Sequence, residues 1–174
     1  MKDSQLNFMS FFGETKETCK KDEINYWKLF IDGASRNNPG PAGAGVYIVK
    51  NDKEFEKVGF WLGSKTNNQA EYLSLALGLF CLKKHVCKDD IVMIISDSQL
   101  LVRQIIGKYR VKNPVLLPIY QLSKKLLSGI NYNIAHVLRH ENKEADKMAN
   151  IGVYKGAKVP QDFLDMLQSY DIQL

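Results

Sequence analysis

The 174-residue sequence has no CxxC pair, no internal repeat, no low-complexity tract and no apolar run long enough to cross a bilayer. A membrane span needs about 20 consecutive apolar residues, so no membrane association is expected. The three cysteines, Cys19, Cys81 and Cys87, are odd in number. They suggest neither a disulfide framework nor a zinc site. The start, MKDSQLNFMSFF, carries an acid at Asp3 and lacks a small-residue cleavage site, which argues against a signal peptide. A cytoplasmic location, or another reducing compartment, is the expectation. Charge of one sign is also scarce: 24 Lys and Arg against 19 Asp and Glu leave +5. That is a mild lean towards polyanions and decides nothing alone. Hydrophobic residues make up 45% and charged residues 25%, ordinary for a globular protein. The length suits one domain with a substantial core, and a monomer is expected.

What is present divides into an extension over residues 1–25, a domain over 26–155 and a tail over 156–174 that reads as one short helix. After an aromatic start, ETKETCKKDE has no apolar period and reads as a linker. YWKLFID, Tyr26 to Asp32, alternates and reads as a strand that ends on an acid. Gly43 to Lys50 and Phe55 to Leu62 follow after short turns, giving an antiparallel meander. From Asn68 the period changes to that of a long helix with a broad apolar face. IVMIIS, Ile91 to Ser96, is a continuous apolar run, as in a strand buried on both faces. Helices are expected over Ser98–Ile106 and Pro114–Leu127, a strand over Tyr132–Leu138, and a helix from Glu141 to Ile151 closed near Gly152. The order β-β-β-α-β-α-α-β-α implies a mixed sheet with helices on its faces.

Four acids stand out by position. Asp32 ends the first strand, Glu71 lies in the first turn of the long helix, Asp97 ends IVMIIS, and Asp146 lies one turn into the last major helix. Each alone has an ordinary explanation: a turn residue for Asp32, an N-cap for Asp97, and a favourable charge at a helix N-terminus for Glu71 and Asp146. Together they suggest more. Carboxylates at the ends of adjacent strands repel one another and raise their own pKa values unless cations neutralise them. Oxygen donors without His or Cys suit hard ions such as Mg²⁺ or Mn²⁺. Spacing alone does not show that the four converge.

Four segments carry a resemblance: DGASRNNPGPAGAG from Asp32, TNNQAEY from Thr66, ISDSQLLVRQI from Ile95 and HVLRHENKEADKMAN from His136. In this order, and on these elements, they resemble the type 1 ribonucleases H over about residues 26–151. The resemblance implies the ribonuclease H-like α/β fold, a five-stranded mixed sheet of three antiparallel strands and then parallel ones, with helices on both faces. It implies an endonuclease that hydrolyses the RNA strand of RNA/DNA hybrids with two Mg²⁺ ions, Mn²⁺ being a substitute. The products would carry 3′-OH and 5′-phosphate ends, and the role would be removal of hybrids and primers in DNA replication and repair. Under the resemblance Asp32 bridges both ions, Asp146 holds the ion that activates water, and Glu71 and Asp97 serve the ion at the leaving oxygen. Asn38, Asn67 and Gln99 match positions that contact the minor groove of the hybrid. Backbone groups around Gly33, Ala34 and Ser35 would sense the ribose 2′-OH, and Thr66 and Asn38 would grip a DNA phosphate. Plain helix capping by Asn67-Asn68 and a turn role for Asn38 stand as alternatives.

The chain departs from the bacterial pattern at two places. GKYRVKNP leads almost directly into the next helix, so Lys108, Arg110 and Lys112 supply some charge but no basic handle. The loop before Asp146 is short, and His140 is the nearest candidate for the family's proton-transfer histidine, with a surface role beside a helix start as its alternative. His136 is read as structural and His85 as a solvated helix end. Finally, Gln5–Phe12 fits the pattern Q-x-x-h-x-x-F-F of peptides that dock on DNA sliding clamps, although Phe8 is unusual there. The alternative is that its phenylalanines pack on the domain.

Overall fold

The computed structural model describes residues 23–174. The clamp-like stretch Gln5–Phe12 and Cys19 lie outside the described residues. The elements are β1 (Tyr26–Ser35), β2 (Gly40–Lys50), β3 (Lys53–Lys65), α1 (Asn67–Lys83), β4 (Ile91–Ser96), α2 (Gln99–Ile105), α3 (Leu116–Leu127), β5 (Asn131–His136), α4 (Lys143–Lys155) and α5 (Gln161–Gln168), with a 3-10 turn at Arg139–Glu141. The sheet order is β3-β2-β1-β4-β5. β1 and β3 flank β2 antiparallel, while β1–β4 and β4–β5 are parallel. This is the mixed sheet that the element order implied.

Alternation along β1 sends Trp27, Leu29 and Ile31 into the main core. There Gly78 of α1 meets the side chains of Leu29 and Ile31. α1 is buried almost all round from Ala70 to Phe80, broader than the one apolar face expected, because it lies between the sheet and the helices beyond it. Its start is fixed by a reciprocal cap: Thr66 accepts from the Gln69 amide, and the Gln69 side chain accepts from the Thr66 amide. α5 closes the outer side. Phe163 is fully buried, its ring 5.3 Å from that of Phe80 and edge-on to it, and Met166, Leu167 and Ile172 join the same core. The segment read as a tail is thus a helix that packs into the main core.

On the other face α4 lies on β2 and β3 almost backbone to backbone. A Cβ at Gly45 would stand 2.0 Å from the Ala145 carbonyl oxygen, one at Gly59 2.2 Å from that of Met148, and one at Gly43 2.4 Å from that of Ala149. These three strand glycines therefore form the bed of a helix.

Several boundaries differ from expectation. β1 does not end at Asp32 but runs to Ser35, with Asp32 paired to Gly45 and Gly33 to Ala44. The reversal falls at residues 36–39, where Asn37 has φ 61° and the Asn38–Pro39 bond is cis. α1 starts at Asn67, so Glu71 lies beyond its first turn. Ser98, not Asp97, caps α2, its side chain accepting from the Leu101 amide. Gly152 does not close α4, which continues to Lys155; the glycine instead lets the helix approach Phe60, whose carbonyl oxygen would be 2.6 Å from an added Cβ. Cys81 is a free thiol and Cys87 is disulfide-bonded, which the odd cysteine count had not suggested.

The seam under α4 makes a differential prediction. Gly45→Ala should lower unfolding free energy by about 2–3 kcal/mol, because rigid backbone must move to admit the methyl. Gly78→Ala, whose Cβ meets only the ends of Leu29 and Ile31 at 2.9–3.3 Å, should cost clearly less. Urea denaturation of the two variants measures the difference; equal losses would mean that the seam is not the constraint.

Candidate active site

β1 pairs with β4 only from Tyr26 to Phe30, then runs on beside β2 alone. Asp32 stands just beyond the point where that parallel neighbour drops away, close to the carboxyl end of β4, where open α/β sheets leave a crevice. Glu71 comes from α1, Asp97 follows β4, and Asp146 lies in the first turn of α4. Asp32, Glu71 and Asp97 line one cleft of about 290 Å³, with Gly33, Ala34, Ser35, Arg36, Asn67, Arg139 and Asn150. Asp146 lies at its margin, bonded to two of those lining residues, Arg139 and Asn150.

Gly33 sets how near α1 comes. An added Cβ there would stand 2.2 Å from the Glu71 amide nitrogen and 2.3 Å from the Ala70 carbonyl carbon. The small residues after Asp32 thus admit a helix, where the sequence had suggested a compact turn. The result is electrostatic. The Asp32 carboxyl is pushed up to about 8, first by burial and then by Asp97, Asp146 and Glu71. Glu71 is also raised, mainly by burial, against the hydrogen bond from Ser98. Three of the four acids thus share the cleft, and Asp146 lies at its margin.

The three outer acids are turned to protein donors. Ser98 Oγ donates to Glu71 Oε2 at 2.6 Å and Asn67 Nδ2 to Glu71 Oε1 at 3.1 Å. Asn142 Nδ2 donates to Asp97 Oδ1 at 3.1 Å and to the Ile31 carbonyl at 2.9 Å, and its own Oδ1 is buried without a partner. Arg139 donates to Asp146 Oδ1 through Nη2 at 2.5 Å and Nε at 3.0 Å. With the side chains so placed, no group of three or more His, Cys, Asp or Glu among the described residues surrounds one ion position. The donor set nevertheless fits hard cations: a half-buried carboxylate held near its neighbours, oxygen donors throughout, and no His or Cys in the cleft lining.

Of the other residues singled out by sequence, Gly33, Ala34, Ser35 and Asn67 line the cleft. Asn38 Oδ1 accepts from the Asn67 amide at 2.8 Å and so joins the β1–β2 turn to the start of α1. Thr66 is the α1 cap. Gln99 is exposed at the start of α2. His140 is exposed and faces a separate, shallower hollow with Leu138, Arg139, Lys143 and Asp146. His136 is exposed at the end of β5, its Nε2 3.2 Å from the Asp97 carbonyl oxygen. His85, read as solvated, lies edge-on to Phe55 at 4.9 Å. Sequence reading missed Arg36, Ser98, Arg139, Asn142 and Asn150. Only Ser98 carried a signal, as the residue after the acid that opens a helix.

Residues 30–152 match the family model described as Reverse transcriptase-like. The chain is 37% identical over 123 residues to ribonuclease HI of Halobacterium salinarum, covering 70% of this chain and 61% of that protein. It is 32% identical over 151 residues to ribonuclease H of Pseudomonas fluorescens, covering 76% of this chain and 93% of that protein. The chain belongs to the ribonuclease H family. Among solved ribonucleases H, the LC11-RNase H1 structure in complex with an RNA/DNA hybrid superposes with TM-score 0.69 at 32% identity, covering 75% of this chain and 97% of that one. The ribonuclease H region is not always the whole protein in the family. The chain spans 61% of the Halobacterium protein and 33% of the Mycobacterium tuberculosis bifunctional protein that it also matches.

The raised Asp32 pKa makes a stability prediction with a definite sign. Its folded value lies above the ordinary 3.8, so ionisation is penalised in the folded state and not in the unfolded one. The penalty is absent below about pH 4, grows as pH rises, and is complete above about pH 8. In the presence of EDTA, Asp32→Asn should therefore flatten the decline in Tm across this window. At pH 8 it should raise Tm by about 5 °C or more, since 1 kcal/mol corresponds to about 2–4 °C in a domain of this size. Thermal melts at pH 4, 6 and 8 test it, and a variant melting below wild type at pH 8 would contradict the assignment.

Proposed function

We propose that this chain is an endonuclease that hydrolyses the RNA strand of RNA/DNA hybrids. The observation that carries the reading is Asp32, a half-buried carboxylate in a polar cleft, pushed up to about 8 first by burial and then by Asp97, Asp146 and Glu71. Family membership and the hybrid-bound LC11 neighbour support the substrate.

Asp32, Glu71, Asp97 and Asp146 would hold two divalent ions, Mg²⁺ with Mn²⁺ as a substitute. Such ions, when bound, supply activation of water and stabilisation of charge on the attacking and leaving oxygens of a phosphoryl displacement. The surrounding residues orient the ligands. Ser98 and Asn67 fix Glu71, Asn142 fixes Asp97, and Asn150 holds Asp146 through its carbonyl and Oδ2. Arg139 pairs with Asp146 and offsets its charge beside the other acids. Backbone groups at Gly33–Ser35 with Asn38, Asn67 and Gln99 would read the minor groove and the ribose 2′-OH, the group that distinguishes RNA from DNA. Hydrolysis would leave 3′-OH and 5′-phosphate ends, suited to removal of hybrids and primers in replication and repair. His140 faces its own hollow beside Asp146, and its proposed part is proton transfer or product release.

Cleavage of matched RNA/DNA, RNA/RNA and DNA/DNA duplexes with and without Mg²⁺ tests the reading. Only the RNA strand of the hybrid should be cut, and only with the metal. Equal cutting of DNA/DNA would point to a different nuclease. In Asp97→Asn the amide oxygen can still accept from Asn142, so the fold should persist while cleavage falls by at least about two orders of magnitude. Wild-type turnover in that variant would end the metal-ligand assignment. A hybrid whose RNA carries 2′-O-methyl groups should resist cleavage, because the substitution removes a donor and adds bulk. Cleavage at the rate of the unmodified hybrid would show that the ribose is not read.

A further inference from the structure

Arg36 is the first residue after β1, exposed, and it lines the same cleft as Asp32, Glu71 and Asp97. Its position is held on three sides. Its amide donates to the Pro41 carbonyl at 2.9 Å, across the β1–β2 turn. Its Nε donates to the Tyr154 hydroxyl at 3.0 Å, and its Nη2 to Asn150 Oδ1 at 2.6 Å. The guanidinium carbon stands 5.7 Å from the centre of the Tyr154 ring. Asn150 in turn donates to the Asp146 carbonyl at 2.8 Å and to Asp146 Oδ2 at 3.3 Å. A chain of contacts therefore joins Arg36 to one of the four acids.

The chemistry of this arm is unlike that of Arg139. Arg139 is paired with a carboxylate, Asp146. Among the described residues the contacts of the Arg36 guanidinium are to a phenol, an amide oxygen and a ring, all neutral. Its charge is therefore not spent on a protein anion, although a cluster of acids is close by. The guanidinium has five donor hydrogens in a fixed fork, and the two nitrogens engaged here leave donors over. Fixing the fork in advance also removes most of the side-chain entropy that binding would otherwise cost. A cleft walled by carboxylates repels a polyanion, and a prearranged, unneutralised guanidinium at its rim offsets that repulsion where a strand would enter.

We propose that Arg36, held between Tyr154 and Asn150 at the rim of the acid cleft, binds a backbone phosphate of the strand lying in that cleft. The inference rests on the hybrid-cleaving reading above and adds to it a positioning residue outside the four acids. A phosphate is the anion that a fixed guanidinium fork fits, and it is the group that a hybrid offers at every step of its backbone.

Steady-state cleavage of a short fluorescein-labelled RNA/DNA hybrid over a range of salt concentrations tests it. Arg36→Ala should raise KM about tenfold, the size of one charge-assisted contact, with the effect chiefly on KM. The slope of log(1/KM) against log salt should fall by about one. Arg36→Lys keeps the charge without the fork, so it should restore the slope and only part of the affinity. Tyr154→Phe removes the hydroxyl that pins Nε and should move KM in the same direction by a smaller factor. A single neutral methylphosphonate moved along the RNA strand should raise wild-type KM at one position and have no further effect there in Arg36→Ala. If wild type cleaves the hybrid while Arg36→Ala keeps its KM and salt slope and only its Tm falls, Arg36 is a structural tie and the proposal fails by itself. If wild type neither binds nor cleaves the hybrid, the ribonuclease reading fails and takes this one with it.

Discussion

The acid cleft depends on how closely α1 can lie against β1. At Gly33 there is no room for even one carbon between the strand and the helix backbone at Ala70 and Glu71. That contact sets Glu71 over the strand that carries Asp32. A second contact of the same kind, α4 on the glycines of β2 and β3, sets the helix that carries Asp146. Both helices are thus positioned by side chains that are absent, which makes the carboxylate geometry a property of the backbone. Rigid elements hold a ligand set better than loops do. The drawback is burial of charge together with mutual repulsion, visible in the raised Asp32 and Glu71 carboxyls. Ser98, Asn67, Asn142 and Arg139 offset part of it by donating to the outer acids.

The order of the elements was legible because each rests on a local pattern, whereas the role expected of the four acids came from the resemblance. Alternation in YWKLFID, the apolar run IVMIIS and the periodic stretch after Asn68 each specify their element without help from the rest of the fold. The end of β1 was not legible. Gly33, Ala34 and Ser35 have turn composition, yet they are extended because they pair with β2 and receive α1. Gly152 misled for the same reason, since a glycine that lets a helix meet a strand looks in sequence like one that ends a helix. Arg36, Arg139, Asn142 and Asn150 could not be found from spacing. Their importance lies in where the side chains turn, and tertiary neighbours decide that. Asn142 sits where a helix cap is expected, but its amide makes no cap and faces Asp97 and Ile31 instead.

The distribution of cationic groups changes the view of how a short form could hold a nucleic acid. Lys108, Arg110 and Lys112 are exposed after α2, with no long basic segment to carry them. Two guanidiniums, Arg36 and Arg139, instead line the cleft itself. One is engaged by an acid and the other by neutral groups. Positive charge set beside the acid cleft acts at shorter range than a remote basic patch, and nearby low-dielectric walls weaken its screening by salt.

The placement of α5 bears on how the chain folds as it is made. Phe80 is one of the largest fully buried side chains, and an aromatic neighbour that covers it, Phe163, comes from the last helix of the sequence. The sheet and α1 leave the ribosome well before that helix. A nascent chain that has emerged only as far as α4 can pair its strands but leaves part of α1 open to water. Exposed apolar surface of that kind is what chaperones hold and what drives association between neighbouring unfinished chains. In this protein the core is completed from the C-terminal side, so the interval between the emergence of α1 and that of α5 is when aggregation competes most with folding.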